Sequence, residues 1–156
     1  MPLILSGDTG VPASGMPTGS VIQTVQGSLG SMTTTTSTSF VDTGLSASIT
    51  PTSATSKILV MYSSSIGQDT AAGGQVHRIV RGSTEIFLSG VIYSGASGQI
   101  YAVAALQYLD SPATTSSTTY KIQFRTQASA SACYFNADYG GATGETSTIT
   151  LLEIKA

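Results

Sequence analysis

No stretch of ten or more residues in this chain repeats its apolar positions at the 3.6-residue spacing of a helix without Gly or clustered β-branched residues breaking it. What recurs is a period of two. Tyr120-Lys121-Ile122-Gln123-Phe124-Arg125 alternates without a fault, which predicts a strand with Tyr120, Ile122 and Phe124 toward a core and Lys121, Gln123 and Arg125 toward water. Residues 76–81 and 84–88 flank Gly82-Ser83, and Gly at the first position of a two-residue loop suits a type II′ hairpin turn. Further strands are predicted at 21–25, 45–50, 132–135 and 148–154, and the Thr/Ser-rich stretch 32–39 reads as extended too. Residues 57–65 and 100–109 are apolar at successive positions, the pattern of strands buried on both faces. Eight to ten short strands separated by Gly, Ser, Thr and Pro turns define the expected class: all-β, an antiparallel β-sandwich or jelly roll.

The second constraint is a shortage of charge. Six Lys or Arg and eight Asp or Glu make 9% of the chain, against about a quarter in an ordinary soluble domain. Such a chain stays soluble by coating itself with hydroxyls or by hiding surface against copies of itself. With 156 residues it holds one domain, and a net charge of −2 gives no basic field to hold nucleic acid. The longest apolar run, Ile58-Leu59-Val60-Met61-Tyr62, is far short of a membrane span. Met1-Pro2-Leu3-Ile4-Leu5 lacks the basic start and the length of a secretory signal, so production in cytoplasm is expected.

The usual chemistry is missing. Cys133 is the single cysteine and reads as a small buried hydrophobe. His77, the single histidine, has no nucleophile motif beside it; it reads as a structural or exposed strand residue whose replacement by Ala is silent. One His and one Cys cannot make a zinc site. The loop Gly140-Gly141-Ala142-Thr143-Gly144-Glu145 lacks the Lys-Ser/Thr ending of a phosphate loop. Asp138 and Glu145 bracket it but supply too few oxygens for Ca²⁺. No catalytic residue, cofactor or metal is expected.

Residues 1–19 differ from the rest. Gly and Pro recur without apolar periodicity, so the segment reads as an extended arm ahead of a sandwich domain at 20–156. Two readings stand, a solvated terminus or a docking arm with Leu3, Ile4, Leu5 and Val11 as its apolar contacts. The seven tyrosines also allow two readings, core edges or a subunit seam, and for Tyr101 and Tyr108 the seam is favoured.

Four segments, Ser56-Lys57-Ile58-Leu59-Val60, Arg78-Ile79-Val80-Arg81-Gly82-Ser83-Thr84-Glu85-Ile86, Thr119-Tyr120-Lys121-Ile122-Gln123-Phe124-Arg125 and Ser147-Thr148-Ile149-Thr150-Leu151-Leu152-Glu153-Ile154, occur in that order. Together they resemble small virion structural proteins of tailed bacteriophages. The opening Pro2-Leu3-Ile4-Leu5 before a Gly-rich stretch is similar to the starts of phage appendage proteins. The resemblance implies a jelly roll akin to the C1q and tumour-necrosis-factor heads, which assemble as trimers, and implies no catalytic residues. A threefold contact would use the surplus apolar faces, with Leu59, Met61, Tyr101, Val103, Tyr108 and Leu152 at the trimer interface. The expected role is a homotrimeric capsid decoration (cement) protein on the virion surface, its arm gripping the major capsid protein or a tail component. The alternative is the head of a tail or head fibre whose loops at 66–75, 90–99 and 136–146 bind a host receptor or glycan.

Overall fold

The computed structural model describes residues 15–69, 74–92, 99–127, 131–137 and 145–156. Ten strands run through them: β1 (Val21–Leu29), β2 (Thr33–Thr35), β3 (Val41–Ile49), β4 (Lys57–Gln68), β5 (Gln75–Arg81), β6 (Thr84–Val91), β7 (Ile100–Asp110), β8 (Thr118–Thr126), β9 (Cys133–Phe135) and β10 (Ser147–Ile154). In the first sheet β1 pairs β10, β10 pairs β4, and β7 lies along the opposite edge of β4. The short β9 and β2 extend this sheet from the far end of β4. The second sheet runs β3-β8-β5-β6, and every pairing is antiparallel. With β2 and β9 set aside, the eight main strands divide four and four between the sheets, in the orders β1-β10-β4-β7 and β3-β8-β5-β6 of a jelly roll's two Greek keys.

Alternation along each strand decides which side chains meet between the sheets. Ile58, Val60, Ile149 and Leu151 project from the first sheet, and Leu45, Ile49, Ile79, Tyr120, Ile122 and Phe124 from the second, all essentially inaccessible to water. The β5–β6 hairpin forms as its sequence predicts. Gly82 has φ +59° while Ser83 does not enter the positive-φ region, which separates a type II′ turn from type I′.

Three polar clusters cross the core, and each is closed by hydrogen bonds. Tyr62 Oη on β4 lies 2.7 Å from His77 Nδ1 on β5, and His77 Nε2 lies 3.0 Å from Gln75 Oε1. A carboxamide oxygen only accepts, so the proton sits on Nε2 and Nδ1 accepts from the tyrosine. Arg81 Nη1 donates to both oxygens of Asp110 (3.0 and 2.8 Å), and Tyr120 Oη donates to Asp110 Oδ2 at 2.7 Å, tying β7 to the second sheet. The buried Glu153 Oε1 accepts from Thr52 N (2.7 Å) and Thr52 Oγ1 (2.8 Å), clamping the β3–β4 loop to β10.

Several expectations change. His77 is wholly buried at a junction of Tyr62, Phe124 and Phe135, so its replacement cannot be silent: Ala would leave a cavity and an unpartnered Tyr62 hydroxyl. Of the stretch 32–39, only Thr33–Thr35 joins a sheet. Strands β4 and β7 bury one face each within the protomer; on the other face Val103 is 72% and Leu109 45% exposed. Met16 to Gly19, read as part of the arm, is fastened to the body beside Ser20. Gly19 N donates to Lys155 O at 2.7 Å, Lys155 N to Ser20 O at 2.9 Å, and Lys155 Nζ to Met16 O.

Candidate functional site

The outer faces of the two sheets differ in kind. On the second sheet, pairing sets Asp42 beside Gln123, Gln123 beside Arg78, and Val80 between Lys121 and Glu85. Arg78 Nη1 binds Glu85 Oε2 at 2.9 Å, Arg78 Nε donates to Gln123 Oε1 at 2.7 Å, and Lys121 Nζ lies 3.1 Å from Asp42 Oδ2. The Gln123 amide, aided by Lys121, holds the Asp42 carboxyl below the usual carboxylate range. The guanidinium carbons of Arg78 and Arg125 stand 4.1 and 5.2 Å from the centre of the Phe40 ring. Exposed pairs of this sort contribute little stability, about 0–1 kcal/mol each, so their main effect is to keep this face hydrated.

The first sheet presents nothing comparable. Across β1, β10, β4 and β7 its outward residues align in rows: Thr24, Leu152, Leu59 and Leu109; then Gln26, Thr150, Met61 and Gln107; then Ser28, Thr148, Ser63 and Ala105. None of these twelve positions carries a charge, and one row sets three leucines abreast; the adjoining row, at the start of β4, pairs Ile154 with the exposed Lys57. Beyond the third row the face becomes polar and aromatic, with Ser65, Tyr101 and Tyr134 around Gly67.

Of the residues expected at an interface, Leu59, Met61, Tyr101, Val103 and Leu152 share this face. Tyr108 does not: it pairs with the inward-pointing Val60, and its ring lies 5.7 Å from Phe87 between the sheets. Leu88 (50% exposed) and Val91 (42%) face outward from the second sheet beside Arg78 and Val76, on its edge strand β6. Sequence reading missed Leu88, Val91 and Leu109. Their signal was present as apolar residues at outward positions, but which strands form edges emerges only from the pairing.

Leu3, Ile4, Leu5 and Val11 lie outside the described residues, as do 70–73, 93–98 and 138–144 of the three loops considered for host binding. Cys133 is buried as expected, and burial pushes its thiol pKa up. Among the described residues no group of three or more His, Cys, Asp or Glu is placed to hold a metal.

No protein-family model matches the chain, and no curated protein sequence does. Two solved structures of infectious bursal disease virus align with it over nearly its whole length. The Gx strain gives 13% identity and a TM-score of 0.36, covering 99% of this chain and 47% of that one. The Gt strain gives 13% identity and a TM-score of 0.33, covering 100% and 43%. This chain thus spans less than half of either. Likeness at that level assigns no function here; the fold class rests on the strand order and the candidate site on the surfaces described above.

Proposed function

We propose that this chain is a structural protein of a tailed-phage virion, a homotrimeric knob that decorates the capsid surface and is held there by its N-terminal segment. One observation carries the reading: a leucine-bearing outer face on one sheet whose outward strand positions carry a single charge, Lys57 at its margin, opposite a face on the other sheet that carries two ion pairs. A freely dissolved monomer has no use for that asymmetry, whereas a subunit of an assembly turns the first face inward and the second outward.

Magnitudes bear on how copies meet. Completing the burial of the half-covered Leu59, Met61, Leu109 and Leu152 contributes roughly 3–6 kcal/mol, against an association cost of about 4–15 kcal/mol. Leucine rows facing their own copies therefore come close to break-even. A trimer sets one patch of each copy on a different patch of the next, a contact that closes into a ring only where its rotation is one third of a turn. Similarity of the four sequence segments to virion proteins supplies the setting.

The same knob at the tip of a tail or head fibre is the second reading, favoured by the polar, aromatic end of the first sheet's outer face. A reconstruction of particles made with and without this protein tests both. Regularly spaced density lost from the capsid supports decoration, and density lost from a fibre tip supports the alternative. Deleting residues 2–14 is expected to leave a folded trimer that no longer joins particles; a deletion variant that still decorates them overturns the tether.

A further inference from the structure

At the polar end of the first sheet's outer face an open groove of about 470 Å³ is bordered by Ser63, Ser65, Tyr101, Val103, Glu145 and Thr146. We propose that this groove binds a neutral hexopyranose ring; the biological setting, a host-surface glycan, rests on the virion placement above, but the binding does not.

Four features point to that ligand. The border offers a carboxylate and four hydroxyls, which suits a molecule whose hydroxyl groups both donate and accept. It contains no Lys or Arg, so phosphates and acidic sugars find no countercharge. Tyr101 and Val103 supply apolar area for the C–H face of a sugar, and Val103 is the most exposed large hydrophobic residue described. Ser65 Oγ is buried and makes no hydrogen bond among the described residues, so rotating it toward a ligand sacrifices nothing.

The groove is also held in shape from behind. Asn136, at φ +60°, donates from Nδ2 to Leu29 O and Ser31 O at 3.2 Å each. Its backbone N–H donates to Ser65 O at 2.8 Å. Ser147 Oγ sits 2.7 Å from Asn136 Oδ1 and 2.8 Å from Ser64 Oγ. In front, one edge of the Tyr101 ring rests on Gly67. A Cβ there would come within 2.9 Å of Tyr101 Cε1 and 3.3 Å of Tyr134 Cδ2, so only glycine lets the ring settle against the sheet.

The test is saturation-transfer NMR on the intact protein with D-glucose, D-galactose and N-acetyl-D-glucosamine, and with D-glucuronate as the charged control. At least one neutral sugar is expected to bind at roughly millimolar Kd, as suits a shallow, water-facing site. Tyr101→Ala and Glu145→Gln should each weaken it about tenfold or more, whereas Tyr101→Phe should retain most of it. Gly67→Ala, by displacing the ring, should weaken it while circular dichroism stays unchanged. Absence of transfer from all neutral sugars, transfer that survives Tyr101→Ala, or glucuronate binding as well as glucose would overturn the proposal. Sedimentation of the same samples reports the trimer independently, so failure of one reading leaves the other standing.

Discussion

His77 is the residue on which acid stability turns. Its ring is enclosed by apolar and aromatic neighbours, Tyr62 is the titratable group facing it, and desolvation lowers its pKa to about 3 from 6.5. The unfolded chain takes up a proton as pH falls through 6.5, while the folded protein refuses it until pH approaches 3. Folding free energy from this group is therefore fully present above pH 6.5 and is lost on the way down, by about 1.4 kcal/mol per pH unit. Urea midpoints measured at fixed protein concentration should drop steeply between pH 6 and pH 4. In His77→Gln, which keeps a polar side chain but cannot protonate, midpoints should start lower and vary much less. Equal slopes in both proteins would remove His77 as the cause.

At the scale of strands and turns, the β5–β6 hairpin offers the sharpest prediction. Because Gly82 sits at φ +59°, Gly82→Val should cost about 1–2 kcal/mol and Gly82→Asn distinctly less, since Asn tolerates that region. Similar losses for the two would show that the turn does not require that backbone geometry. This turn was legible because it depends on two neighbouring residues. So was β8, whose alternation directly encodes which side is buried. The double-faced apolar character of β4 and β7 was legible as composition but not as burial. One face meets the core and the other meets nothing within the protomer, and only the pairing of β7 with β4 alone makes that visible. His77 is structural, one of the two roles its sequence allowed, but the silence expected of its replacement was a misjudgement with a related cause. A histidine in a strand looks the same in sequence whether it faces water or a tyrosine on the opposite sheet, 15 positions earlier in the chain. The polar groove was hidden as well, because it gathers residues from β4, β7 and the approach to β10.

For the whole molecule the prediction concerns association. Leu59→Asp and Leu152→Asp place a carboxylate in the leucine row without disturbing the inward faces of β4 and β10. Each variant should keep its circular dichroism spectrum and sediment as a folded monomer at concentrations where the parent is a trimer. A parent protein that sediments as one copy at micromolar concentration would remove the assembly argument altogether. The fastening of Met16 to Ser20 against Lys155 has a mechanical consequence. Force applied through residue 15 reaches β1 only after passing the clasp on Lys155, at the end where β1 lies beside the last residues of β10. Any load that runs along the strand is shared in shear by the eight β1–β10 partner pairs, instead of opening one rung at a time.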